Sequence, residues 1–446
     1  MQFSVHVAQS PRHSDRDPLR AEEEVPPIRA CNLHAMNESI GVTKTLAAAE
    51  QPRGSALEVL KCFSWLGVTC FGGPIAHLGY FRAEFVLRRR WLSEQAYADL
   101  IGLCQFLPGP ASSKLGFSLG LLRAGYLGGL AAWVGFTLPS AALLVLFAYG
   151  AGALSHTVVG NGIIAGLKLA AVAIVAQAVW GMARSLCPDR SRATIATIAA
   201  VVVLVAPTSI GQIAGIVIGA VLGLRWCRED RDTVPEAIAV PVSRTVGVAA
   251  LGVFGTLLAA SFFAFGDTPY GMFNAFYRSG ALVFGGGHVV LPLLSEAVVR
   301  PGWVGNSAFL SGYGAAQTVP GPLFTFAAYL GAVASRPVGG LAGAALALAA
   351  IFLPGLLLQL AALPFWHTFH SWRSGQSAMR GINAAVVGLL TAALYTPVWT
   401  SAVMSPIDFA IAVSGFVLLT IWKARPLYVV LFMAAAGVAI ALASVI

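Results

Sequence analysis

Charge is scarce in this sequence. Only 11% of the 446 residues are Asp, Glu, Lys or Arg, against about 25% in a soluble domain. Length alone would suggest roughly three soluble domains, but so few charges cannot cover a water-facing surface. Cysteine is scarce too: there are six, none after Cys227. No CxxC and no Cys/His metal spacing occurs, so neither a disulfide framework nor a metal or other cofactor is predicted. No GxxxxGK[ST] is present, which removes a nucleotide-driven pump of that type. No HExxH is present either, and the one faint nucleophile–base pair, Ser113 with His77, makes an enzyme a poor reading. Acids are nearly missing from the apolar stretches. Glu58, Asp99, Glu296 and Asp408 all fall near predicted segment ends, whereas a cation pump or proton relay would carry central acids. That absence points to an anion.

What fills the chain is apolar. Hydrophobic residues make up 57%, and mean hydropathy is +0.77. The prediction is an all-α, polytopic helical membrane protein whose main partner is the lipid bilayer. The net charge is +9, from 28 Lys/Arg against 19 Asp/Glu. The first 52 residues hold five Lys/Arg against seven Asp/Glu, so the membrane body is the basic part. This suits positive cytoplasmic loops and an anionic substrate. Nucleic acid is not predicted as a partner, because most Arg residues lie in short loops between apolar segments. A homo-oligomer is compatible with the sequence, which does not specify one.

Residues 1–52 are polar, with Pro11, Pro18, Pro26, Pro27 and an acidic run Glu22–Glu24. No apolar run follows a basic start, so this is read as a disordered cytoplasmic tail and not a secretory signal. Apolar segments follow at 57–80, 96–122, 127–152, 160–182, 193–206 and 209–224. After a polar stretch, one more runs over 246–266. Six others occupy 271–294, 308–334, 338–362, 380–397, 406–422 and 426–445. The division of 193–224 around Pro207 is open.

The strongest signal is an internal repeat. Phe71-Gly72-Gly73 returns as Phe284-Gly285-Gly286, and Trp91 as Trp303. Gln105-Phe-Leu-Pro108-Gly109-Pro110 returns as Gln317-Thr-Val-Pro320-Gly321-Pro322. Pro139 matches Pro354, Gly166 matches Gly381, and Pro207 is read as the match of Pro426. The spacing between partners changes only slowly along the chain, as small loop insertions would produce. The predicted division is a tail (1–52), an N-terminal repeat (53–224), a polar linker with an unpaired transmembrane helix (225–270) and a C-terminal repeat (271–446).

One unpaired helix between two six-segment repeats turns the second repeat upside down. Loop charges agree. Arg184, Arg190 and Arg192 follow the fourth segment, and Arg225, Arg228, Arg231 and Arg244 follow the sixth. In the second half the basic loops shift to Arg373 and Arg380, then Lys423 and Arg425. Positive-inside counting places the N-terminus in the cytoplasm and the C-terminus outside. One loop conflicts: Arg82, Arg88, Arg89 and Arg90 would be outside if 57–80 crosses. Two paths are open. Either 57–80 and 96–122 cross with an unusual basic outer loop, or each dips in and returns, broken at Gly72-Gly73-Pro74 and Pro108-Gly109-Pro110.

Broken helices in inverted repeats are how many secondary transporters hold substrate at the repeat interface. The breaks recur here in both halves, the second set being Gly285-Gly286-Gly287 and Pro320-Gly321-Pro322. Glycine permits close backbone approach, proline ends helices, and freed N–H groups favour anions. Packing alone would also use Gly and Pro, but not at matching places. Polar side chains cluster beside these breaks: His77, Gln105, Ser112, Ser113 and Lys114, then His288, Gln317 and Thr325. Hydroxyls, amides and an ammonium are oxyanion donors. A Lys at membrane depth costs about 2.5–3.5 kcal/mol on insertion scales, so Lys114 either serves the substrate or snorkels to an interface. Each His is either a packing hydrogen bond or a substrate contact. The basic amphipathic run containing Arg82 and Arg88 is a candidate entrance that draws in a dianion.

Phe71-Gly-Gly-Pro-Ile-Ala-His77, the basic run Phe85 to Trp91, and Cys104-Gln-Phe-Leu-Pro-Gly-Pro110 resemble the chromate transporter family, long two-repeat type. So do Phe284-Gly-Gly-Gly-His-Val-Val-Leu-Pro292 and Gly312-Tyr-Gly-Ala-Ala-Gln-Thr-Val-Pro-Gly-Pro322. The likeness covers about 57–445. It implies a bacterial inner-membrane protein that exports chromate and confers resistance to it. The residues themselves specify only a small oxyanion, and sulfate has the same charge and shape. The absence of a nucleotide motif predicts a secondary exporter driven by membrane potential or ion coupling.

Overall fold

The computed structural model describes residues 54–71, 73–154, 157–227, 240–263, 266–284, 287–365 and 373–443. The expected tail lies outside them, as do Gly72, Gly285, Gly286, Arg228 and Arg231. All regular structure among the described residues is helical, as the composition predicts.

The first half opens with α1 (Ala56–Thr69), α2 (Gly73–Phe81, continued by a π turn Arg82–Arg88), α3 (Glu94–Phe106) and α4 (Ala111–Leu154). Polar caps set the starts. Ser55 accepts the Glu58 N–H and Ser93 accepts the Ala96 N–H, each worth about 1 kcal/mol. α4 is two arms, reversed at Ala124 and at Gly125 with φ +66. The arms meet through glycine: a Cβ on Gly120 would stand 2.3 Å from the Gly128 carbonyl oxygen. Then come α5 (Val158–Leu186), α6 (Arg190–Val205) and α7 (Ser209–Trp226). The turn at 206–208 confirms the division at Pro207.

The polar linker leads into α8 (Arg244–Ala260). The second half repeats the pattern: α9 (Pro269–Ala281), α10 (Val290–Leu294, between a 3-10 turn Gly287–Val289 and a π turn Ser295–Val299) and α11 (Asn306–Ala316). α12 (Phe326–Val333) is preceded by a 3-10 turn Leu323–Thr325, and α13 (Gly340–Ala362) follows. α14 (Arg373–Ala393, continued by Leu394–Trp399), α15 (Pro406–Thr420) and α16 (Pro426–Ala443) complete the chain. Among the described residues, five stretches are long and apolar enough to cross a bilayer: 111–150, which includes the reversal at 124–125, 158–186, 340–365, 373–399 and 426–443.

The first two apolar segments return to the side from which they start. α1 has 14 residues, about 21 Å at 1.5 Å per residue, short of the ~30 Å hydrocarbon core. The Gly54 N–H donates to the Arg123 carbonyl at 3.0 Å. Glu58 pairs with Arg123 at 3.3 Å and with Arg89 at 3.7 Å, and the Arg123 guanidinium sits 5.3 Å from the Trp91 ring centre. The start of α1, the end of the α2 extension and the end of the first α4 arm therefore meet at one place. The full-crossing alternative is overturned; the Arg cluster stays on the side of residue 54.

The second half forms the same construction at the other end. Asp267 accepts the Trp303 indole N–H at 2.7 Å and pairs with Arg336 at 3.0 Å, gathering the hairpin ends there. The long arm of α4 starts at residue 126, beside the first cluster. Its Tyr149 hydroxyl reaches 3.4 Å from where a Gly340 Cβ would be, about 35 Å along the helix. The two hairpin pairs thus hang from opposite ends of the bundle, as an inverted repeat requires.

Glycines exchange helices between the halves. A Cβ on Gly166 in α5 would lie 2.2 Å from the Met433 carbonyl oxygen of α16, and one on Gly381 in α14 would lie 2.0 Å from the Gly219 oxygen of α7. Small residues at these crossings let backbones touch, which is how helices associate where no hydrophobic gain separates protein from lipid.

Candidate functional site

The four helix breaks meet in two reciprocal pairs. The Gly109 N–H donates to the Val283 carbonyl at 2.7 Å, and the Gly321 N–H donates to the Cys70 carbonyl at 2.9 Å. Each bond runs from the Pro-Gly-Pro break of one half to the residue just before the glycine break of the other. Gly109 has φ +100 and Gly321 φ +96, a backbone region that suits glycine. Contact is tight as well. A Cβ on Gly109 would sit 2.9 Å from the Gly355 Cα, and one on Gly321 3.0 Å from the Ser140 Cβ. These two N–H groups were expected to be free for an anion. They stitch the halves together instead, because a buried amide at membrane depth needs an acceptor.

Around Cys70 and Gly321, His77 is buried with its ring edge-on to Phe136 at 5.2 Å. Its ring approaches the Cys70 backbone, but neither ring nitrogen completes a hydrogen bond of good geometry. Thr325 donates to the Pro322 carbonyl at 2.7 Å and lies 2.6 Å from the Ser140 hydroxyl. Gln317 is half-buried, with its Nε2 unpartnered. Pro320, Gly321 and Pro322 are buried.

Around Gly109 and Val283, Ser112 and Ser113 are buried and the Ser113 hydroxyl has no partner. The reason lies in the repeat: Ser113 corresponds to Thr325, but the position matching Ser140 is Gly355, which offers no hydroxyl. Lys114 does not snorkel. It is fully buried, and its ammonium donates to the Leu107 carbonyl at 2.5 Å and the Pro108 carbonyl at 3.0 Å. It satisfies the acceptors that the broken helix leaves unpaired. The Lys114 carbonyl accepts the Ser118 hydroxyl, which in turn accepts the Gln359 amide at 2.7 Å from the other half. Pro110 is buried and Pro108 half-buried.

Other expected residues lie apart from these clusters. Gln105 is exposed, one turn before its break. His288 is tied to the Tyr313 hydroxyl by its Nδ1 at 2.6 Å, the packing hydrogen bond between hairpins. Gly73 begins α2 with φ +77, Pro74 follows it in that helix, and Gly287 is buried in its 3-10 turn. Asp99 lies in the second turn of α3, buried, accepting from Gln95 at 3.0 Å. At the hairpin ends, Arg82 pairs with Glu94 at 2.5 Å and Arg88 with Glu84. The hydrogen bond to Glu94 raises the Arg82 pKa, so this guanidinium stays charged. The pairing offsets part of the basic field that the sequence suggested.

The free groups near the breaks are the His77 ring, the Ser113 hydroxyl, the Gln317 amide, the Trp133 indole and the Thr137 hydroxyl. All can donate hydrogen bonds, and none is acidic. Ser140, Gly355, Trp133 and Thr137 were not singled out from sequence; carrying the repeat alignment through Pro139 and Pro354 would have pointed to the first two. Among the described residues no group of His, Cys, Asp and Glu could hold a metal ion. Cys62, Cys70, Cys104 and Cys227 are buried thiols and Cys187 is half-buried.

The family model described as chromate transporter matches this chain twice, at residues 57–224 and 270–438. A chromate transport protein of Pseudomonas aeruginosa is 27% identical over 419 residues, which span 89% of this chain and 94% of the relative. A probable chromate transport protein of Synechococcus elongatus is 26% identical over 77% of this chain and 84% of its own. A chromate transport protein of Cupriavidus metallidurans is 25% identical over 77% and 82%. No solved structure matches the chain significantly.

Proposed function

The chain belongs to the chromate transporter family, and on that premise we propose that it carries chromate out of the cytoplasm as a secondary transporter and so confers chromate resistance. The observation that carries this reading is the meeting of four helix breaks across an inverted repeat, with unpartnered donors and no acid beside them. A tetrahedral dianion accepts hydrogen bonds from donors of this kind. The reading takes His77, Ser113 and Gln317 as side-chain contacts, with backbone around Gly72, Gly73, Gly285, Gly286 and Gly287. Lys114 and the Pro108–Pro110 and Pro320–Pro322 breaks hold the site's shape.

Loop charges support a multi-pass inner-membrane protein with the N-terminus in the cytoplasm and the C-terminus outside. The first-half hairpins then open to the cytoplasm. Their α3 keeps an open face at Ala98, Gly102 and Gln105, whereas the matching α11 is closed against α5. This is the arrangement of a carrier ready to load from inside, and the cycle completes when α3 seats on α14 as α11 seats on α5. No coupling device is required. Moving a dianion outward across a 100 mV interior-negative potential releases about 4.6 kcal/mol, and at 1.4 kcal/mol per decade this sustains a gradient of roughly three decades.

The deciding experiment is chromate uptake into inverted membrane vesicles, with and without an imposed potential and with sulfate as competitor. Uptake that needs the protein, follows the potential and resists equimolar sulfate supports the reading. The second reading is a carrier of another tetrahedral oxyanion, chiefly sulfate, because the free donors recognise charge and shape. Sulfate uptake without chromate uptake would establish it.

A further inference from the structure

Lys168 lies inside an apolar segment and outside every motif. It sits ten residues into α5, about 15 Å along the helix and so near the middle of a ~30 Å hydrocarbon layer. It is half-buried, and among the described residues its ammonium has neither a hydrogen bond nor an ion pair. From that depth the side chain cannot reach an interface by snorkelling. An unpaired ammonium against lipid is among the costliest placements a membrane protein can make, and such residues face water-filled paths. Lys114, by contrast, already has two carbonyl partners.

The repeat supplies an independent observation. Gly166 matches Gly381, so Lys168 matches Asn383 on α14. Asn161, Ala165 and Lys168 share one helical face, and their counterparts are Gln376, Arg380 and Asn383. Spacings of three and four place each set in a stripe. Lipid-facing stripes do not carry five polar residues in six positions. Arg380 is held by the Cys227 carbonyl at 3.0 Å, while the Asn383 Oδ1 is buried without a partner. Because the halves are inverted, one stripe descends from each face of the membrane. Each ends at mid-depth, one at Lys168 and the other at Asn383.

We propose that these stripes wall the translocation path and that Lys168 is its charged substrate contact, a free cation that a tetrahedral dianion meets at mid-membrane. Asn383 is the neutral mate at the two-fold-related position. This rests on the oxyanion-carrier reading and adds the residue that selects for negative charge.

The test uses the full chain reconstituted in liposomes, with chromate uptake as the readout and melting in detergent as the check of folding. Lys168→Met raises the chromate KM at least about tenfold, with a smaller effect on maximal rate. Lys168→Cys behaves alike. It recovers to within about threefold of wild type after reaction with aminoethyl methanethiosulfonate, which restores an ammonium, and not after the neutral methyl reagent. Wild type responds to neither. An unchanged KM in Lys168→Met, no recovery of Lys168→Cys, or equal recovery with both reagents overturns the proposal. If Lys168→Met fails to fold, the two reagents on Lys168→Cys decide alone. A wild type that carries neither chromate nor sulfate overturns the proposal together with the reading beneath it, whereas a wild type that carries either one leaves only Lys168 at issue.

Discussion

The two hairpin pairs have the same construction and different surroundings. In the second half α11 is buried over residues 309–316, and a Cβ on its Gly314 would lie 2.4 Å from the Leu167 carbonyl oxygen of α5. In the first half the matching Gly102 of α3 has nothing within 4 Å. Leu310 is buried, but its counterpart Ala98 is exposed. Pro292 accepts the Gln212 amide at 3.3 Å, whereas its counterpart Gly79 is exposed with no neighbour within 4 Å. Similar sequences in similar hairpins have reached one docked and one undocked arrangement. Two-fold symmetry in the sequence therefore describes the parts, while a carrier's cycle depends on the parts not being in the same state at once.

Several substitutions would break or sharpen this comparison. The largest effects belong to what the halves share. Gly109→Val and Gly321→Val each force a branched side chain into left-handed backbone, at about 1–3 kcal/mol of strain, and into the opposing half. Both should abolish uptake, and a variant that folds and transports normally would show that the reciprocal bonds are dispensable.

Next come substitutions at the seam itself. Gly314→Leu drives a side chain into the Leu167 carbonyl and should cost about 3 kcal/mol or more, read as a lowered melting temperature in detergent. Gly102→Leu meets no neighbour, so its stability should stay within about 0.5 kcal/mol of wild type while uptake falls sharply, because α3 can no longer seat. Equal stability loss at both positions would mean that α3 is docked in solution.

Lys114 and its counterpart Phe326 differ in another way. Lys114→Met leaves the Leu107 and Pro108 carbonyls unpaired and should cost about 1–3 kcal/mol for each. Phe326→Met is a smaller change of packing and should cost less. Thermal melting of the two variants compares them directly.

Smaller still is the Ser140 and Ser113 pair. Ser140→Ala removes a hydrogen bond worth about 1 kcal/mol. Ser113→Ala removes an unpaired hydroxyl and should leave stability unchanged while raising the chromate KM several-fold. The smallest effect is at the hairpin ends. Arg88→Gln should shift KM modestly, and the shift should vanish by 1 M salt, where the screening length is about 3 Å.

How far the sequence could be read follows from the kind of interaction involved. The repeat and its breaks were legible because Gly, Pro and charge act locally and leave fixed spacings, whereas the returning path of the Arg cluster was one of two that the sequence left open. His77 and Ser113 were legible as polar residues beside breaks, though not as unpartnered ones. Lys114 was found, but its partner was not: a lysine that closes its own broken helix and one that waits for substrate are written with the same letter. Gln105 was expected beside Gln317 in role, yet the first is exposed and the second half-buried.

By itself the sequence determined that this chain lives in a bilayer, in two halves with matching breaks, and it pointed to an anionic substrate. Those conclusions follow from hydropathy, loop charge and the scarcity of acids, which do not depend on how helices meet. Only the tertiary structure decided which donors are committed and which are free. It also decided that Gly109 and Gly321 bind the halves to each other, and that one hairpin pair is docked while its twin stands open. Pairing between the two halves is a property of the packed chain: each amide and hydroxyl takes whichever partner the fold brings within about 3 Å, and no local pattern names that partner in advance.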